Sequence, residues 1–204
     1  MRTAPSVARH HWQTPGDPVN SADAAPPWLP LVDDPDDPRM REEFAKLAAG
    51  SGILNLHRMM AHAPALMKAS GGMAIALRRD TKLPRAIAEL AILRLAQILE
   101  APYVWARHVP LAHDCGVTAQ QINALAFWPD SAAFSPEQKA ALGFAEKAMR
   151  QSPVDESAAA ELRRHFSARE IVELAMVVGF YVSTAIFVKA LAVPAEKTED
   201  SALT

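Results

Sequence analysis

The chain has 204 residues, of which 50% are hydrophobic and 22% charged, with a formal net charge of −2. That balance suits one globular domain with a sizeable core and excludes a disordered or strongly basic, phosphate-binding chain. A single cysteine, Cys115, rules out an internal disulfide, and no nucleic-acid partner is expected.

Residues 1–37 read as an extended or disordered arm. Pro5, Pro15, Pro18, Pro26, Pro27, Pro30 and Pro35 interrupt every periodicity there. Trp12 and Trp28 are the apolar anchors by which such an arm would dock, and His10-His11 reads as part of a solvated polar tail. The arm lacks the continuous apolar stretch of a secretory signal, and its prolines oppose the amphipathic helix of a transit peptide, so a cytoplasmic location is expected.

From residue 38 to 195 the text is helical, and 196–204 reads as a tail. Pro38 fits a first helical position behind Asp36 or Asp37, with Met40, Phe44 and Leu47 following at helical spacing. Periodic segments follow near 55–62 and 64–79, the latter weakened or bent by Gly71-Gly72. Others lie near 84–99, 102–115 and 154–165. Thr118 with Gln121, Ser135 with Gln138 and Ser167 with Glu170 each match the capping box, in which hydroxyl and third-residue side chain satisfy exposed amides reciprocally. The sum is an all-α bundle of about eight or nine helices. The apolar run LAMVVGFYVSTAIFV spans only fifteen residues, against about 20 for a bilayer, and reads as a buried core helix or subunit contact. No membrane partner is expected.

On the helix at 102–115, roughly 100° per residue puts His108 on the side of Val104, Trp105, Leu111, Ala112 and Cys115, with Tyr103, Arg107 and Asp114 facing elsewhere. An inward imidazole is either a satisfied core histidine or a group suited to proton transfer near neutral pH. On the preceding helix Arg94 sits among Ile87, Leu90, Ala91, Leu95 and Ile98. It must meet a carboxylate, a carbonyl cluster or an anionic substrate, or snorkel to an edge. Glu89 and Arg85 are one turn apart, which reads either as an exposed i,i+4 pair or, since Ile92, Leu93 and Leu99 make this helix apolar beyond one stripe, as a buried carboxylate near His108. His57 and His62, like His108 and His113, are five residues apart and point away from each other, so no metal site is expected.

The run Arg85-x-x-x-Glu89-Leu-x-Ile-Leu-Arg94, then Tyr103-x-Trp105-x-x-His108-x-x-x-Ala112-x-x-x-Gly116, resembles the signature of the carboxymuconolactone decarboxylase and AhpD-like family. Asn55-Leu-x-Arg58-x-x-Ala61-His62-x-Pro64 and Glu173-Leu-x-x-x-x-Gly179-Phe-Tyr181 are similar to its flanking stretches, and the likeness covers about residues 50–193. The resemblance implies an all-helical homo-oligomer, a trimer or hexamer, that acts on a small molecule without a cofactor. It also implies His108 and Glu89 as catalytic residues, with Arg94, Arg85, Tyr103 and Trp105 binding substrate. The implied activity is acid/base decarboxylation or isomerisation of a small organic acid or lactone. An alkylhydroperoxidase-like antioxidant protein and a non-catalytic binding oligomer are the alternatives. The Cys-x-x-Cys of the peroxidase branch is replaced here by Ala101 and Val104, and Cys115 stands seven residues beyond His108, which disfavours that chemistry.

Overall fold

The computed structural model describes residues 26–50, 52–150 and 152–196. Among them are nine α-helices and no strand: α1 Pro38–Ala48, α2 Asn55–Met60, α3 Pro64–Arg79, α4 Arg85–Ile98, α5 Pro102–Asp114, α6 Ala119–Ala124, α7 Pro136–Met149, α8 Glu156–His165 and α9 Ala168–Ala190. A single 3₁₀ turn, Leu125–Phe127, follows α6. The all-α expectation holds.

Helix starts follow the local chemistry of the chain. Asp37 caps α1 by accepting the Arg39 amide, with Pro38 at the first helical position. All three expected capping boxes form, at α6, α7 and α9. Each satisfies amides that would otherwise face solvent unpaired, and a single cap of this kind is worth about 1 kcal/mol. α3 runs uninterrupted through Gly71-Gly72, because glycine costs about 1 kcal/mol in a helix but still supplies its amide to the ladder.

Three helices end in one motif. After α4 the Glu100 amide donates to Gln97 O and the Ala101 amide to Ala96 O (2.9 Å). After α5, Gly116 and Val117 bond in the same way to His113 and Ala112, and after α9, Ala192 and Val193 bond to Lys189 and Val188. This arrangement needs a left-handed residue, supplied by Gly116 (φ 88) and, against their preference, by Glu100 and Ala192 (both φ 49). Strain at Glu100 closes the α4–α5 connection within three residues and folds the two helices back on each other.

α4 is the centre of the molecule. Ten of its fourteen residues are buried, and it packs on α5, α7 and α9. Ile87, Ala91, Ile92 and Leu95 meet Leu174, Val177, Tyr181 and Val188 of α9 in the main core, while Leu90 and Leu93 meet Leu125, Phe134 and Leu142 in a second cluster. Each such side chain contributes about 1.5–3 kcal/mol when fully buried. A helix enclosed on every side carries its polar residues into the interior.

α9 is long and apolar enough to cross a membrane by length and composition alone, although only a third of its most apolar window is buried. Here Leu174, Val177, Val178, Tyr181, Ala185 and Val188 face the core, and Val172, Met176 and Ile186 stay exposed. At the N-terminal side the described end of the arm runs along the body. The Trp28 amide donates to Leu191 O, Val32 N to Arg58 O, and His62 Nε2 lies 2.8 Å from Pro30 O. The Trp28 side chain itself is exposed, and Trp12 lies outside the described residues. The last described residue docks as well. Glu196, assigned above to the tail, accepts the Asn55 amide (3.0 Å) and the Tyr103 hydroxyl (2.6 Å).

Candidate active site

Because the α4–α5 turn is so short, residues at equal chain distance from it come side by side. Glu89 and His108 are each nine or ten residues from Leu99, which at 1.5 Å per residue is about 14 Å down each helix. Glu89 is wholly buried, and its Oε2 lies 2.8 Å from His108 Nδ1. Its other oxygen accepts from Arg85 Nη2, the i,i+4 partner one turn earlier. Of the two readings of Glu89 from sequence, the buried one is correct. The exposed pair fails because α4 has no solvent face at this level.

His108 is 8% exposed. The Glu89 carboxylate, already accepting from Arg85, also accepts from His108 Nδ1, which turns the other ring nitrogen, Nε2, away from it. Across the imidazole, Tyr181 of α9 presents an edge-to-face contact, ring centroids 4.8 Å apart at 87°. Burial, followed by the Glu89 carboxylate, raises the Tyr181 phenol above its ordinary value, while Arg85 acts in the opposite sense. Cys115 behaves alike: burial first and Glu89 second push its thiol up, against the nearby Arg85. The Arg85 guanidinium is paired with Glu89 through Nη2, yet its Nη1 is buried with no hydrogen-bond acceptor among the described residues. An unsatisfied buried donor costs about 1–3 kcal/mol, so this atom is poised for an acceptor.

The remaining expected site residues are held elsewhere. Arg94 Nε donates to Glu146 Oε1 (2.6 Å) and Nη1 to Gln97 Oε1 (3.1 Å), and Trp128 Nε1 donates to the same Glu146 oxygen (2.7 Å). This is the carboxylate partner that a core arginine requires, and the bond ties α4 to α7. Tyr103, expected off the His108 face of α5, is buried as well: it is 7% exposed, its hydroxyl accepting from Leu56 N and donating to Glu196. Burial and that carboxylate push its phenol far above the ordinary range. Trp105 is half-buried and packs against both core clusters. Tyr181 and Glu146 were missed as partners. The family-like Gly179-Phe-Tyr181 stretch was the available signal for Tyr181, whereas Glu146 lies 52 residues from Arg94 with no local cue.

Two surface grooves lie apart from this cluster. One of about 530 Å³ is lined by Phe144, Val154, Leu162, Phe166 and Ile171, the other by Lys147, Asp155 and neighbours on α8, and neither includes Glu89 or His108.

Residues 64–147, which hold Arg85, Glu89, His108 and Cys115 but not Tyr181, match the model of the carboxymuconolactone decarboxylase family. That stretch runs from the start of α3 into α7, and the chain is similar in fold to AhpD-like and peroxidase-related helical proteins. Its fold is shared with an uncharacterized peroxidase-related protein from Silicibacter sp. TM1040 (TM-score 0.74, 21% identity, 86% of this chain and 95% of that one). A putative antioxidant defence protein AhpD from Agrobacterium tumefaciens is similar over 68% of this chain and 96% of its own (TM-score 0.63, 21% identity). So is the debrominase Bmp8 in complex with 2,3,4-tribromopyrrole (TM-score 0.71, 19% identity, 85% and 94%). Comparison with curated proteins gave no match.

Proposed function

We propose that this protein is an enzyme performing acid/base chemistry, decarboxylation or isomerisation, on a small organic acid or lactone, with His108 Nε2 as the proton-transferring atom. The observation that carries the reading is the 2.8 Å bond between His108 Nδ1 and the fully buried Glu89. It fixes one tautomer, turns the ring and stabilises the imidazolium that forms when Nε2 takes a proton. Arg85 holds Glu89 in place and keeps a second arm for an anionic group on the substrate. A thiol peroxidase is the weaker reading. Ala101 and Val104 stand where its cysteine pair would be, and the thiol of Cys115 is pushed away from ionisation. A non-catalytic binding oligomer gives no reason for a carboxylate to be buried against a histidine. The neighbour Bmp8 is a debrominase that binds a small ring compound, which supports small-molecule chemistry in this fold and no particular substrate.

The test is deuterium wash-in from heavy water, followed by NMR, across a panel of small oxo acids and lactones. His108→Gln keeps the fold by circular dichroism and lowers exchange by about 10²- to 10⁴-fold. A loss below about tenfold removes His108 from this role.

A further inference from the structure

We propose that Glu173 of α9 is a positioning residue for the acid/base pair: by clamping the turn that precedes α4, it sets where Arg85 stands and so where Glu89 meets His108. This rests on the acid/base reading of Glu89 and His108 and adds to it a residue from another helix.

The start of α4 lacks a cap of its own. Pro84 stands at the N-cap position and its side chain makes no capping bond, so the hold that a Ser, Thr or Asp would give there is missing. It comes from α9 instead. Glu173 Oε2 accepts both the Lys82 amide and the Leu83 amide, at 2.8 Å each. Glu173 Oε1 accepts from Arg169 Nε (2.7 Å), and Arg169 Nη2 donates to Asp80 O (2.9 Å). The turn is thus held at Asp80, Lys82 and Leu83 by two side chains of α9. Burial pushes the Glu173 carboxyl up, but Arg169 and the two amides outweigh it and hold the group below its ordinary value, so the clamp stays charged at neutral pH.

From Leu83 the path to the histidine is short. Pro84 has a restricted φ, and Arg85 is the first residue of α4. The amide of a first helical residue has no intrahelical partner, so its backbone follows the turn before it. Arg85 Nη2 donates to one oxygen of Glu89, and the other oxygen lies 2.8 Å from His108 Nδ1. A carboxylate that loses its partner on one oxygen is free to turn away from the partner on the other. Residues further along α4 are fixed by the core around them. Arg85 is therefore the member of the site that the clamp controls, and Glu173 acts through it.

The test follows the ring signals of His108 by proton–nitrogen NMR of the full-length protein, assigned with His108→Gln, beside deuterium wash-in. Glu173→Ala removes the clamp, whereas Glu173→Gln keeps one oxygen for the Lys82 and Leu83 amides. The alanine variant is expected to move the His108 signals and leave those of His165 on α8 in place. It should slow wash-in by about 10- to 100-fold, the effect of a misplacement of about 1 Å. Glu173→Gln is expected to bring both readouts back towards wild type. Ser135→Ala removes the α7 cap, controls for lost stability alone and is expected to move neither. Should Glu173→Ala fail to fold, Glu173→Met keeps the aliphatic stem without the acceptor and takes its place. Unmoved His108 signals in the folded alanine or methionine variant overturn the proposal and leave the acid/base reading to stand on its own dependence on His108. An equal disturbance in Glu173→Gln or in Ser135→Ala overturns it too. Moved signals with exchange that ignores His108→Gln, or with no exchange at all, uphold the link through Arg85 and overturn the acid/base reading instead.

Discussion

Replacing Glu89 by alanine tests the central claim that the site is held by a buried carboxylate. Glu89 is 0% exposed and accepts from both Arg85 and His108, so its removal leaves two donors without their carboxylate partner in the interior. Breaking one side of a buried ion pair typically costs 3–5 kcal/mol. In a domain of this size each kcal/mol lowers the melting temperature by about 2–4 °C, which makes the expected fall at least about 6 °C. Glu89→Gln should fall between wild type and alanine, because its carbonyl still accepts from His108 while its amide meets Arg85 donor to donor. The assay is urea and thermal unfolding of both variants, together with Glu89→Ala in an Arg85→Met background. If the orphaned cation is the cause, the second substitution recovers part of the loss. A Glu89→Ala protein within about 0.5 kcal/mol of wild type would refute the reasoning, since ordinary surface changes cost no more than that.

Three other outcomes are expected. His57 has its pKa lowered from 6.5 to about 4, chiefly by burial, and its Nδ1 accepts the Leu54 amide (3.1 Å). The unfolded chain therefore binds the extra proton between those values. Stability is full above pH 6.5 and falls by about 2 kcal/mol by pH 5, and His57→Asn should flatten that slope in pH-dependent urea unfolding. Cys115→Ser should leave wash-in unchanged, and rapid hydroperoxide turnover lost in that variant would favour the peroxidase reading instead. Finally, we propose that the exposed Met176 and Ile186 of α9 lie in a contact between copies. Light scattering should then give a multiple of three times the 22.1 kDa chain, reduced by Ile186→Glu, and a concentration-independent monomer would refute it.

What the sequence disclosed was mostly local. Three capping boxes, the Asp37-Pro38 start and the inward face of His108 are short-range patterns, and each has its counterpart in the structure. A helical wheel sees one face at a time. It therefore left Glu89 between an exposed pair and a buried one, and it placed Tyr103 only off the His108 side, because neither the enclosure of α4 nor the docking of Glu196 onto Asn55 and Tyr103 is written near those residues. Family resemblance resolved the first case and did not address the second.

The two arginines of α4 show why residue type alone could not assign the site. Both are cations on a helix buried all round, and both need a carboxylate. Arg94 meets Glu146, whose same oxygen serves Trp128 as well, so its demand for a carboxylate is met within the fold. Arg85 meets Glu89, but that carboxylate is shared with His108, and one guanidinium arm remains buried without an acceptor. A protein interior tolerates such a deficit where something outside the chain supplies the missing partner, since unsatisfied buried donors are otherwise rare. The difference between the two arginines is thus one of hydrogen-bond accounting, and it is the reason Arg85 carries the anion-holding role in the function proposed above.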